Sequence, residues 1–234
     1  ATPGLALATD AGNSNSDGLT NAGTVNVSGL ESGATWEYST NSGSSWSTGT
    51  ASSFTLTAGT YAAGAVRVRQ SDAAGNQSSA AQIASAITVD NTVPTVSTIA
   101  ITSATGVQNS TLNAGDVVTA TVSFAEAVTV SGTPQLALNI GGSVVQANYA
   151  AGTGTNSLTF TYTVLATQTD ADGISIDANA LSLNGGSIRD AAGNNATLTH
   201  ALVAANAGYK VDTSAPATPG LALATDAGNS NSDG

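Results

Sequence analysis

Leu158-Thr159-Phe160-Thr161-Tyr162-Thr163-Val164 alternates apolar and small polar residues without a break. Period two with one apolar face is the pattern of a half-buried antiparallel strand. The same pattern recurs outward from it. Val118, Ala120, Val122 and Phe124 alternate; Leu136, Leu138 and Ile140 follow Pro134; Val145, Ala147 and Tyr149 form the return of a hairpin whose turn is Gly141-Gly142. Ile174 and Ile176 begin the next strand, and Tyr209 and Val211 belong to the last. Toward the N-terminus, Val25 and Val27 flank Asn26, Trp36 and Tyr38 flank Glu37, and Phe54 and Leu56 flank Thr55. Val66 and Val68 point one way while Arg67 and Arg69 point the other. Strands are predicted near 5–9, 24–30, 35–40, 45–50, 52–57, 64–71 and 80–89. Seven strands is the number of an immunoglobulin-like sandwich.

Composition agrees with this reading. Of 234 residues, 41% are hydrophobic, 8% charged and 4% aromatic, with 26 glycines. β-Branched residues suit strands, and small polar residues suit turns. No helical periodicity is long enough to compete. The formal charge is −11 and the isoelectric point about 4.1. Four Lys and Arg residues form no cluster, which excludes nucleic acid and direct contact with an anionic membrane surface. No run approaches the ~18 apolar residues of a membrane span. Cys and Met are both absent. Stability must therefore come from packing rather than from disulfides, with metal ions as a further possible source.

Residues 1–18 return letter for letter as 217–234, at an offset of 216 residues. Repeats decide architecture. The chain reads as one 216-residue period of a tandem array, followed by the start of the next copy. No leader segment opens it, as expected of a stretch cut from inside an array. Two further segments resemble each other: Val89-Asp90-Asn91-Thr92-Val93-Pro94 and Val211-Asp212-Thr213-Ser214-Ala215-Pro216. Each follows an apolar run, and each Pro forbids a continuing ladder hydrogen bond. Read as interdomain linkers, they divide the chain into 1–91, 92–213 and 214–234. The expected fold is all-β: two tandem Ig-like antiparallel β-sandwich domains arranged end to end.

Apart from Glu37, nearly every carboxylate falls in a predicted loop or linker. Asn13-Ser14-Asn15-Ser16-Asp17-Gly18 fits the first half of an EF-hand-type loop, and Gln168-Thr169-Asp170-Ala171-Asp172-Gly173 has a similar outline. Thr24 stands where the first loop would carry its bidentate Glu, so it is no EF-hand, and ordinary turn chemistry remains open for both. Sandwich topology gathers these acids at the domain ends. At the first junction it collects Asp10, Asn13, Asn15, Asp17 and the linker's Asp90, facing Glu126, Asp190 and Asn194. At the second it collects Asp116, Asp170, Asp172 and Asp212, facing the next copy's equivalents of Glu31, Asp72 and Asn76. Close carboxylates repel unless a cation neutralises them. Oxygen ligands without His or Cys select Ca²⁺. Calcium is thus the expected cofactor, held at the junctions.

Tyr38-Ser39-Thr40-Asn41-Ser42-Gly43-Ser44-Ser45-Trp46, followed by Val66 to Asn76, resembles the bacterial Ig-like repeats of giant biofilm adhesins. Phe124-Ala125-Glu126-Ala127-Val128, Leu183 to Ile188, Asp190-Ala191-Ala192-Gly193-Asn194 and Gly208 to Thr213 look like another such repeat. The resemblance implies a long surface-bound protein of a Gram-negative bacterium, exported by a type I, RTX-style route. Such repeats are calcium-rigidified extenders between a membrane anchor and a distal adhesive tip. The partners expected are neighbouring copies of the same repeat, with no small-molecule substrate and a monomeric chain.

The rival reading is a glycan- or surface-binding module that adheres directly, with calcium only stabilising the fold. Trp36 and Trp46 could form a sugar platform, but alternation places Trp36 in the core and one aromatic makes no platform. Tyr61 is expected to make a corner hydrogen bond. His200, the single histidine, has no flanking nucleophile motif. Catalysis is not expected.

Overall fold

A computed structural model describes residues 1–221. The chain is all-β, with no helix among the described residues. Residues 222–234, which carry most of the repeated segment, lie outside the described residues.

The strands run β1 Gly4–Leu7, β2 Leu19–Thr20, β3 Thr24–Ser28, β4 Thr35–Ser39, β5 Ser47–Thr48, β6 Ser53–Thr55, β7 Gly59–Tyr61, β8 Arg67–Ser71, β9 Ala81–Gln82 and β10 Ile87–Val89. They continue as β11 Val96–Ala104, β12 Thr111–Leu112, β13 Val117–Ser131, β14 Gln135–Ile140, β15 Ser143–Ala151 and β16 Thr155–Thr163. Four short ones follow: β17 Thr169–Asp170, β18 Leu181–Ser182, β19 Ser187–Arg189 and β20 Lys210–Asp212. No sheet mixes strands from before Asp90 with strands from after it. The earlier strands form three sheets, β1-β3-β6, β2-β10-β7 and β5-β4-β8-β9. The later ones form β11-β13-β16-β15-β14-β18, with β19 also on β13, and the small sheet β12-β20-β17.

There are likewise two hydrophobic cores. Val25, Val27, Trp36, Phe54, Leu56, Val66, Val68, Ile87 and Val89 form the N-terminal one. The C-terminal core is larger, and Phe124, Phe160, Leu136, Leu138, Leu158, Ile174 and Ile176 are its main fully buried side chains. The alternation that defined the strands defines these cores. Along β13 and β16 the register sets Val118 opposite Tyr162, Ala120 opposite Phe160 and Val122 opposite Leu158. One apolar face of each strand is thus stacked on the other, and the intervening threonines pair outside.

Several elements depart from the pattern in the sequence. The expected strand at 80–89 is two strands, β9 on β8 and β10 on β2 and β7, because the chain changes sheet between Gln82 and Ile87. Alternation continues through such a switch, so periodicity does not reveal it. β13 runs seven residues past Phe124, through a register shift between Ser123 and Val128, after which it also pairs with β19. A bulge inserts an unpaired residue and breaks period two. β11 was missed for the same reason: its pairing with β13 shifts between Val96 and Thr98 and again between Ile101 and Ser103. Ile174 and Ile176 are fully buried but lie outside any strand, with isolated bridges only at Ser175 and Ile176. The two-residue strands β2, β12 and β17 are too short for any periodicity.

Gly141 and Gly142 make the β14–β15 turn at φ 56° and 85°, as the hairpin signal requires. A Cβ at Gly141 would stand 2.0 Å from the Thr169 carbonyl oxygen, so the turn packs against the β17 backbone as only glycine allows.

Phe160→Ala is expected to destabilise the C-terminal core by about 3–5 kcal/mol through cavity formation. Denaturant unfolding followed separately by tryptophan fluorescence, which reports Trp36 and Trp46 in the N-terminal unit, should leave that unit's midpoint almost unmoved.

Candidate metal centre at the junction

The two units meet around the turn Asp190-Ala191-Ala192-Gly193-Asn194. Its shape is set from within. Asp190 Oδ1 accepts the Asn194 backbone N–H at 2.8 Å, its Oδ2 accepts Asn194 Nδ2 at 2.7 Å, and the Asp190 N–H donates back to the Asn194 carbonyl at 3.1 Å. Ala192 and Asp190 are 1% and 3% exposed, so the turn is covered rather than solvated.

What covers it is the opposite unit's loop between β1 and β2, together with Asn21 just after β2. The Asn13 N–H donates to the Ala191 carbonyl and the Asn21 N–H to the Ala192 carbonyl, both at 3.1 Å. Asn13 Nδ2 donates to Thr129 Oγ1 at 2.8 Å. Gly12, at φ 112°, lies so close that a Cβ would stand 2.2 Å from the Ala191 oxygen. Asn194 Nδ2 also donates to the Asp90 carbonyl at 2.8 Å, tying the turn to the linker. The linker is anchored on both flanks. The Asp90 N–H donates to the Thr20 carbonyl, the Thr197 N–H to Pro94 and the Ala125 N–H to Thr95, at 2.8–2.9 Å.

This framework brings Asp90, Glu126 and Asp190 together, with one carboxylate oxygen of each within 4.8 Å of the others. They come from the linker, the bulged stretch of β13 and the turn, three places far apart in sequence. Among the described residues the only ion pairs are Ala1–Glu31 and Arg69–Glu37, so no protein cation balances the cluster. Partial burial, then repulsion from Asp190 and Asp90, raises the Glu126 pKa above its ordinary value of 4.5. Three such oxygens around one point could hold a metal ion.

Other candidate residues have different surroundings. Asp10 lies in the same loop as Asn13; its Oδ2 accepts the Gly18 N–H at 2.9 Å, and its buried Oδ1 has no hydrogen-bond partner. Asn15 and Asp17 are exposed, and Asp17 Oδ1 accepts the Leu19 N–H. Neither Asp10 nor Asp17 is among the three clustered carboxylates. At the far end of the C-terminal unit, Asp170 is 4% exposed with both oxygens engaged, Oδ2 by the Gly141 N–H and Oδ1 by the Gly173 N–H. Asp116 Oδ2 accepts the Asn113 N–H, Asp172 is exposed, and Asp212 Oδ1 accepts the Ser214 N–H. Asp90 Oδ1 accepts the Thr92 N–H in the same way, so the two linkers share one local turn.

At the N-terminal end, Glu31, Gln70, Asp72 and Asn76 line a shallow depression with Ala1. The Asn76 side chain and the turn's backbone amides hold the Asp72 pKa below its ordinary value. The Asp72 and Asp190 turns are thus built alike, one exposed and one covered.

Sequence reasoning missed the residues that dock the two units: Gly12, Asn21, Thr129 and the carbonyls of Ala191 and Ala192. Most act through the backbone, which side-chain identity does not report. No protein-family model and no curated protein matches the sequence.

For a carboxylate whose folded pKa is raised, the native state binds the proton more tightly than the unfolded state. Its contribution therefore worsens as pH rises through the folded pKa, and the penalty disappears as pH falls to the unfolded value near 4.5. In EDTA, Glu126→Gln should be more stable than wild type at pH 7, with the difference shrinking on acidification toward pH 4.5. Denaturant melts across that range check it, and a difference independent of pH would contradict it.

Proposed function

We propose that the chain is a structural extender of a cell-surface adhesin, stiffened by Ca²⁺ at its junctions and projecting a distal adhesive tip for attachment or biofilm formation. The observation that carries this reading is the convergence of Asp90, Glu126 and Asp190 where the two cores meet, without a balancing protein cation among the described residues. An all-oxygen, carboxylate-rich set without His or Cys suits Ca²⁺ better than a transition metal. Bound there, the ion would link the linker, β13 and the turn, and so fix the angle between two Ig-like sandwiches, residues 1–91 and 92–213. Extracellular calcium modules bind with Kd on the order of 10⁻⁴–10⁻³ M, so such a site would fill outside the cell and stay empty at cytosolic calcium.

Repetition supports the same reading. Asp212 repeats the local turn of Asp90, and the Glu31/Asp72/Asn76 end repeats the chemistry of Glu126, Asp190 and Asn194. The next copy in an array would complete the second junction with those residues. Residues 214–234 are read as the beginning of that copy. The surroundings of the aromatic and histidine residues fit a passive scaffold. Arg69 covers the Trp46 ring at 3.9 Å while pairing with Glu37, and Trp36 is buried against Tyr38 and Phe54. His200 Nε2 accepts the Ala180 N–H, and its Nδ1 meets the Ala201 carbonyl, so both ring nitrogens are occupied.

Calcium titrated into EDTA-treated chain should raise the melting temperature and lengthen and narrow the small-angle scattering distance distribution. Glu126→Gln and Asp190→Asn should each remove most of the calcium-dependent gain while leaving the strand content unchanged. Calcium-independent melting and scattering in the wild type would overturn the reading. A glycan array that scored in either condition would instead favour direct adhesion.

A further inference from the structure

We propose that the outer face of the sheet β11-β13-β16-β15-β14 is a lateral contact surface, and that its partner is the same face of a second copy of this chain. Register builds the face. Thr119 stands opposite Thr161, Thr161 opposite Asn148 and Asn148 opposite Gln135, so one row of uncharged polar side chains crosses β13, β16, β15 and β14. Thr121 opposite Thr159 begins the next row. These residues point away from the core, since Ala120, Phe160, Ala147 and Leu136 beside them are buried. Bonds within the face tie its strands together. Thr102 Oγ1 lies 2.9 Å from Thr121 Oγ1, and Gln135 Nε2 donates to Asn148 Oδ1 at 2.9 Å.

What the face lacks is charge. Its five strands carry one charged residue between them, Glu126, and that one belongs to the junction. In the N-terminal unit, by contrast, β4 and β8 turn Glu37, Arg67 and Arg69 outward. Two copies of a chain with a formal charge of −11 repel over most of their surfaces. Through this face they meet without opposing like charges. Sheets stacked face to face lie ~10 Å apart with strands within about 30°, and short hydroxyl side chains suit that spacing. Val144, on the same face opposite Asn139, is 61% exposed, an apolar side chain that the contact would cover. A two-fold contact sets β16, in the middle of the five strands, against its own copy. Five strands ~4.8 Å apart, each with about three outward residues, present roughly 500 Å², less than the ~800 Å² that each partner of a stable complex buries. A single pair is therefore weak, and the chain stays monomeric when dilute. Many copies side by side multiply it. The extender reading supplies that multiplicity, while the contact itself uses neither calcium nor the junction.

Beads densely coated with the 234-residue chain test it in EDTA. Wild-type beads should cluster, and more strongly as added salt screens the −11 charge. Thr159→Glu/Thr161→Glu and Thr159→Lys/Thr161→Lys set like charges against each other at the middle of the contact. Each should lose self-clustering, and a mixture of the two should regain it. Wild-type beads that stay dispersed at every salt concentration, variants that cluster as well as wild type, or a mixture that does no better than its parts would each overturn the proposal. Dispersed beads whose chain is instead retained on a neutral polysaccharide resin, and released by both variants, overturn it in favour of a glycan. If either variant melts below wild type, Gln146→Glu and Gln146→Lys, at an exposed side chain of the adjoining β15, carry the same comparison. Dispersed wild-type beads together with a calcium-dependent melting temperature would remove this contact and leave the extender reading standing.

Discussion

One side-chain amide ties the linker to the turn at the junction. Asn194 Nδ2 binds the Asp90 carbonyl and Asp190 Oδ2 at once, which fixes the turn against the linker. It holds the linker's Asp90 beside the turn's Asp190, where Glu126 also arrives. Backbone hydrogen bonds from Asn13 and Asn21 complete it. These contacts are short and directional, and a glycine at position 12 is needed for the approach. The framework stands on backbone polarity, and the acidic residues are carried on it at the cost of mutual repulsion. A cation would convert that cost into attraction without moving the framework.

The Asp72 and Asp190 turns show how much surroundings matter to identical chemistry. Both carry Asp-Ala-Ala-Gly-Asn, and both use the Asn backbone and side-chain amides to cap the Asp. At Asp72 the hydrogen bonds from Asn76 and the turn amides stabilise the charged form. At Asp190 the carboxylates of Asp90 and Glu126 arrive, and partial burial, then repulsion, makes Glu126 harder to ionise. The turn is a preformed module, and its partner determines what it does.

Much of the β-structure was legible because alternation in Leu158–Val164, Val118–Phe124 and Leu136–Ile140 leaves only one way to bury the apolar face. Trp36 in the core and the Tyr61 hydroxyl bonded to the Thr57 carbonyl were readable for the same local reasons. β11 and the far half of β13 were not, since bulges reset the period. The candidate site was legible by residue type and only partly by grouping. Loop topology set Asp90, Glu126 and Asp190 at one junction. It had no means of separating them from Asp17, which caps its own turn. Nor could it show that Asp170 is engaged by two glycine amides inside the fold.

The two parallel pairings have a mechanical consequence. β2 lies parallel to β10, and β12 lies parallel to β20, in each case a strand near the start of a unit beside its last one. Tension along the chain pulls the first toward its N-terminal side and the second toward its C-terminal side. The hydrogen bonds between them are then loaded in shear, and they must fail together rather than one after another. Each unit is therefore clamped between its second strand and its last, a pairing that pulling must shear once β1 or β11 has peeled away.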